Sequence, residues 1–290
     1  MSYAPESVVG DWTIAPRHQS VFARIAELWQ YRHLLGYFAT RSLQSMYKRS
    51  SLGWIWMIVR VVAPIGLTSI VFGGVLNVDP PGATPYFLFL LCGQSAWFLF
   101  DRSLLFITRS MERNRRLISK VYFPRLIVPI STVAPALVFL AILTLVLFGT
   151  DVYFYHRDGV WHIPLHPRLL LVPVAVLISL AFALSIGFFT SVLQAQYRDI
   201  RFGLQYSITV FLYASTVLYP LSQIKSQLLR WLVYLNPMES AVELFRFSLV
   251  GTPMEISTAT LIGQLAAIAV VGLSGIWFFN REEAASVDKM

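Results

Sequence analysis

The sequence predicts an all-α integral membrane protein with six transmembrane helices, an N-terminal amphipathic helix in the membrane interface, and a re-entrant helical hairpin between spans five and six. Three observations predict it. Apolar runs recur from Trp54 to Phe279, and about 20 such residues let a helix cross the roughly 30 Å of hydrocarbon. Charged residues are only 13% of the chain and hydrophobic ones 56%, whereas soluble domains carry about 25% charge. Arginine and lysine concentrate in alternate connections between the runs, the bias that fixes membrane orientation.

Residues 1–21 are polar and contain Pro5 and Pro16, which reads as a mobile cytosolic tail. Over 22–53 the pattern changes: Leu28, Tyr31, Leu35 and Phe38 recur every three or four residues among Arg24, Glu27, Arg32, Arg41, Lys48 and Arg49. That spacing gives a helix one apolar stripe and one charged face, suited to lying in the interface. The stretch 50–53 breaks the pattern and turns the chain into the bilayer. No compact apolar run with a small-residue cleavage site precedes it, so the first span is expected to serve as its own insertion signal.

The six spans are expected at about 54–76, 86–108, 126–148, 169–193, 204–221 and 258–279, within a transmembrane domain over 54–279. Pro64, Pro129, Pro135 and Gly187 fall inside them. In a membrane protein these predict kinks and close helix contacts and do not break the spans. The N-terminal segment, the 109–125 connection, the 194–201 connection and the 280–290 tail hold most of the basic residues. They therefore share one side, the cytosol, with both termini there. The opposite side keeps only Arg157, Arg168, Lys225, Arg230 and Arg246.

Between spans five and six, 222–251 reads as two short helices. Ser222 is placed to cap the first, and Asn236-Pro237-Met238-Glu239 has the form of a second helix start. Asn is a good cap, Pro fits the first turn, and Glu at the third position complements free N–H groups. Met238, Ala241, Val242, Phe245 and Leu249 would share a face before Gly251 ends the helix. Each piece would be about 20 Å long, too short to cross, so the pair dips in and returns on the outer face.

The net charge of +8 follows from the topology and not from one basic face, so nucleic acid is not an expected partner. No phosphate-binding loop, HExxH or cysteine pair is present, and no catalytic, cofactor or metal residue is expected. Cys92 is alone in an apolar run, and His162 and His166 flank Pro164 with no further ligand in view. Ionisable groups at membrane depth are costly and tend to face protein or water. Arg60 in the first span and Asp101 with Arg102 in the second therefore stand out. Asp101 would neutralise Arg60 if those spans pack, leaving Arg102 to snorkel or to meet a lipid-linked pyrophosphate.

Three stretches carry a family resemblance. Residues 114–125, NRRLISKVYFPR, resemble the N-x-x-L-I-x-K-x-x-F-P-R signature of the first cytosolic loop of ABC transporter permeases of the type-two superfamily, in the polysaccharide, O-antigen and teichoic acid export family. Tyr197-Arg198-Asp199-Ile200 is similar to that family's second cytosolic loop. Asn236-Pro237-Met238, followed by Glu243, Phe245, Arg246 and Gly251, is similar to its outer hairpin. The likeness runs from about Leu28 to Phe279, including Tyr47 to Gly53 at the entry to the first span.

The resemblance implies a homodimeric channel in the bacterial cytoplasmic membrane, exporting a lipid-linked polysaccharide. Two copies of a separate ATP-binding subunit would hold the ATP and Mg; this chain would bind neither and would not be an enzyme. Within 109–125, Arg113, Asn114, Arg115, Arg116 and Lys120 would couple to the ATPase, with Arg198 and Asp199 as further candidates. The same cations also set topology, and Asp199 can equally pair with its neighbours. The hairpin residues Asn236, Pro237, Met238, Glu243, Phe245 and Arg246 would form the outer gate. Aromatics are 14% of the chain, and rings pack on the C–H faces of sugars; Tyr206, Tyr213 and Tyr219 are the expected pore aromatics, although belts and packing enrich rings too. Alternatives are a permease for a drug or small lipid, and an integral-membrane glycosyl- or acyltransferase, which would need clustered acid or base residues.

Overall fold

The computed structural model describes residues 30–47, 53–82, 84–118, 120 and 123–288. The expected tail over 1–21, the opening of the interface helix and most of the turn at 50–53 lie outside the described residues. Those described form eleven α-helices joined by short connections. They are α1 Arg32–Tyr47, α2 Gly53–Ser69, α3 Tyr86–Thr108, α4 Ser110–Ile118, α5 Ile127–Ser131 and α6 Ala134–Asp158. After these come α7 Val172–Gln196, α8 Ile200–Tyr213, α9 Gln227–Leu235, α10 Met238–Leu249 and α11 Thr258–Asp288.

Among the described residues, five segments are long and apolar enough to cross a membrane: Ile58–Val75, Tyr86–Ile118, Ile127–Asp158, Pro167–Gln196 and Thr258–Glu282. The second is the centre of the bundle, 67% buried against 11% for the first. Its partner is α7. Phe100 stacks on Phe182 at 5.0 Å, and Thr108 shares a hydrogen bond with Thr190 at 2.7 Å. Gly187 meets Ile107 so closely that a Cβ there would overlap the isoleucine methyl. On its other side α7 meets α11, where a Cβ on Gly275 would lie 2.7 Å from the Ser185 carbonyl oxygen. Small residues and buried hydroxyls are what bring helices together in lipid, where no hydrophobic force does so. Gly187 thus makes the close contact expected of it.

Helix boundaries follow from local chemistry. α2 continues as a π-helical segment, Ile70–Val75, in which Gly73 lets the Tyr86 ring approach. The third span is interrupted at 132–133, because Pro135 lacks an N–H and sits in the first turn of α6. That helix runs ten residues past the expected 148 and stops at Gly159, which takes φ 73° and returns its N–H to Tyr155 O at 2.8 Å. At the far end α11 carries the last span on to Asp288, through most of the region read as a tail. The apolar stripe of α1 rests on protein: Phe38 is buried against Phe123, ring centroids 5.5 Å apart, with Tyr31, Leu34 and Leu35 beside it.

The fifth expected span departs most from its reading over 204–221. α8 has only 14 residues, about 21 Å of helix, and unwinds at Ala214. The physical reason is tertiary. The backbone of 216–218 is buried and bonded by side chains from elsewhere: Thr216 N–H donates to Glu239 (3.2 Å), Val217 O accepts from Arg246 Nη2 (2.7 Å), and Leu218 O accepts from the Tyr86 hydroxyl (2.6 Å). These partners substitute for the helix ladder, and Pro220 could not have continued it. The hairpin follows, with its first helix later than expected. Leu221–Gln223 is a single 3₁₀ turn and α9 starts at Gln227. Ser222 does not cap it; its N–H goes to Glu255 at 2.8 Å.

Candidate coupling and gating sites

Two polar sites lie at opposite ends of the bundle. The basic end is built on α4, a helix that follows α3 after Arg109 alone. Arg113, Arg115 and Arg116 are exposed on it, and Lys120 is exposed just beyond. Asn114 is not presented with them. It is buried, and its amide donates to Ser110 O at 2.9 Å, so it braces the helix from inside. Arg198 and Asp199 are exposed in the α7–α8 connection. Asp199 stands at the cap of α8 but makes no side-chain cap bond.

Gln194, which sequence reading did not single out, takes that role. It is buried in the last turns of α7. Its Oε1 accepts the Arg201 N–H of the first turn of α8 at 2.8 Å, and its Nε2 donates to Glu112 of α4 at 3.2 Å. An uncharged amide ending an apolar helix carries no pattern signal, and only its partners reveal it.

At membrane depth the expected pairing does not form. Asp101 pairs with its neighbour Arg102 (3.5 Å), whose guanidinium also lies 4.6 Å from the Phe98 ring centroid. Arg60 stands on the exposed side of α2, and the structure does not bring it to Asp101. Side chains on a helix repeat every 3.6 residues, so Arg60 shares its uncovered face with Trp56, Ala63 and Leu67.

The other end is built on α10, where Asn236 starts the helix as its sequence suggests, with Oδ1 accepting the Met238 N–H at 3.0 Å. Gly251 ends it at φ 71°. The expectation of one apolar face is too narrow. Besides Asn236, Met238, Ala241, Val242, Phe245 and Leu249, the polar Glu239, Ser240, Glu243, Arg246 and Ser248 are buried, because α3, α7 and the unwound 214–220 segment enclose the helix. Pro237 is half-buried.

Arg246 is the centre of this site and is 1% exposed. Its guanidinium lies 3.6 Å from the Phe89 ring centroid, donates through Nε to Phe89 O (3.3 Å) and through Nη2 to Val217 O (2.7 Å), and has Glu243 at 3.8 Å. Gly93 makes room for it, since a Cβ there would come within 2.6 Å of Nη2. Glu239 is not spent on its own helix start. Its carboxylate accepts from both the N–H and the hydroxyl of Thr216. Glu243 accepts the Glu255 N–H at 2.9 Å. Burial pushes both carboxyls above their ordinary range; Glu243 adds to the shift of Glu239, and Arg246 opposes both shifts. From α11, Gln264 accepts from the Ser240 N–H and hydroxyl and donates to Tyr234 O at 2.9 Å, tying both hairpin helices to the last span.

The expected pore aromatics divide. Tyr206 and Tyr213 are exposed on α8, with Phe202 and Val210, and Ile208 is the one buried residue of that helix. Tyr219 is half-buried and its hydroxyl donates to Tyr213 O at 2.5 Å, which ties its ring to the last residue of α8.

The sequence profile of the ABC-2 type transporter family matches residues 33–250, a stretch that runs from α1 through the hairpin. The chain belongs to the ABC-2 type transporter family. Curated relatives agree. The O-antigen export system permease protein RfbA of Myxococcus xanthus is 30% identical over 265 residues, covering 90% of this chain and 97% of that protein. A protein of the same description from Klebsiella pneumoniae is 25% identical over 252 residues, 86% of this chain and 91% of its own. As a permease of this family the chain is a transport component and not itself the catalyst. That membership goes against the glycosyl- or acyltransferase reading.

Proposed function

We propose that this chain is the permease of an ATP-driven exporter for a lipid-linked polysaccharide, an O-antigen, capsule or teichoic-acid-like polymer. In this reading it works in the bacterial cytoplasmic membrane as a homodimer, with both termini in the cytosol. Two copies of a separate ATP-binding subunit sit beneath α4 and hold the ATP and Mg. The observation that carries the reading is α8, a 14-residue helix with a single buried residue. Its uncovered face presents Phe202, Tyr206, Val210 and Tyr213, a surface suited to a second copy and to the C–H faces of a passing glycan. The printed descriptions of the relatives support a polysaccharide over a drug or small lipid.

Closure of the ATPase subunits pushes on Arg113, Arg115, Arg116 and Lys120, and the hairpin at the other end opens the path. Arg60 and the Asp101–Arg102 pair lie between these ends, where a cation at membrane depth suits the pyrophosphate of a lipid carrier. Deleting the gene should trap lipid-linked polymer inside the cell; normal surface polymer with unchanged drug resistance would sink both transport readings. Replacing Arg115 and Arg116 by alanine removes two of the docking charges. The expected result is a loss of ATPase stimulation of about tenfold, the scale of a few screened charge contacts. Permease abundance should stay unchanged, and full stimulation in the double variant would remove α4 from the docking surface.

A further inference from the structure

We propose that Gln194 is a positioning residue that transmits movement of α4 to the exposed helix α8. The inference rests on the reading that an ATP-binding subunit docks on α4, and it deepens that reading by naming the link beyond it.

The geometry is specific. Gln194 is 2% exposed and uses both ends of its amide. The donor end holds Glu112 of α4 at 3.2 Å, and the acceptor end holds the Arg201 N–H in the first turn of α8 at 2.8 Å. First-turn N–H groups have no partner within their own helix, and the residue placed to cap them, Asp199, does not do so. The first turn of α8 is therefore fastened to the end of α7 and, through the same side chain, to α4. Between its two ends α8 is lightly held. Ile208 is its one buried residue, Leu204 and Leu212 rest half-buried on the core, and Phe211 reaches Trp97 at 6.3 Å between ring centroids. Its far end runs into the segment held by Glu239 and Arg246, so a shift of the first turn swings α8 about that end. Glu112 adds direction to the link, since it is a charged acceptor on the helix that meets the ATPase, and hydrogen bonds to charged groups are about twice as strong as neutral ones.

The test uses the assembled permease and its ATP-binding subunit. Gln194→Met keeps the length and burial of the side chain and removes both bonds. Expected are unchanged permease abundance, unchanged co-purification of the ATPase subunit, ATP hydrolysis within about twofold of wild type, and surface polymer reduced about tenfold or more, as befits loss of a buried bond to a charged group. A spin label at the exposed Gln205 should shift on ATP addition in the otherwise unaltered complex and stay still in Gln194→Met. Gln194→Glu alone sets two carboxylates against each other and should also lose export. Pairing it with Glu112→Gln returns one donor and two acceptors in reversed order and should restore both polymer and label movement. Normal export in Gln194→Met overturns the proposal, as does a swap that restores abundance but not export. Loss of the ATPase subunit together with export in Gln194→Met also overturns it, because the residue would then be structural only. Failure of the docking reading is seen separately, as full ATPase stimulation in the Arg115 and Arg116 double variant.

Discussion

Replacing Arg246 by methionine is expected to cost about 3–5 kcal/mol, because it leaves buried carboxylates without their counter-charge. The guanidinium is fully enclosed and joins three parts of the chain: Phe89 in α3, Val217 in the unwound segment, and Glu243 in its own helix. Methionine fills much of the volume, so the loss is electrostatic and hydrogen-bonded rather than a cavity. Thermal melting in detergent should show a large drop, and the hairpin should become accessible to protease before the rest of the bundle. Neutralising the partners in the same chain, with Glu239→Gln and Glu243→Gln, should recover a substantial part, since a fully neutral site avoids the stranded charge. No recovery would mean that the hydrogen bonds to Phe89 and Val217 dominate. Gly93→Ala approaches the same site from α3. It should destabilise the unaltered protein and do much less in the Arg246→Met background, a coupling that a double-mutant cycle measures.

Gly187→Ala is the second change with a large expected effect, about 1–3 kcal/mol from overpacking. The added methyl would overlap Ile107 Cγ2 and come within 3.0 Å of its Cβ. Those atoms sit close to the α3 backbone and cannot swing away, so α3 and α7 must separate. Separation strains the Thr108–Thr190 hydrogen bond, one residue on in α3 and about one turn on in α7. Melting of the purified permease should fall, and adding Ile107→Ala should restore part of the loss. Additive losses in the double variant would show that the two helices do not bear on each other there.

How much of this was legible in sequence depends on the kind of signal. Apolar runs of spanning length place α3 and α7 to within a turn at both ends and the start of α11, because lipid imposes length and continuity on a helix, whereas α6 and α11 continue nine or ten residues past the apolar run. Asn236 and Gly251 bound α10 correctly since capping and left-handed backbone are local chemistry. The fifth span misleads because 214–220 is apolar and hydroxyl-rich, yet Glu239, Arg246 and Tyr86 supply its backbone partners from far along the chain. The same non-local enclosure explains why the polar face of α10 is buried, which no periodicity within α10 announces. Among the candidate coupling residues, the exposure of Arg113, Arg115 and Arg116 is legible because a charged side chain seeks solvent. Asn114 was misplaced with them, as motif membership does not say which way a side chain turns. Gln194 and Gln264 were missed, being neutral amides inside apolar helices.

Those two glutamines have a consequence for the conditions under which the machine works. Each end of the bundle is fastened by a side chain that neither gains nor loses a proton and carries no charge of its own. Mobile ions that screen the arginines of α4 leave buried amide bonds almost untouched. Ionic strength should therefore act on how readily the proposed partner subunit docks on α4 and leave both amide fastenings in place, whereas acid also weakens the inner fastening by protonating Glu112, the acceptor of Gln194.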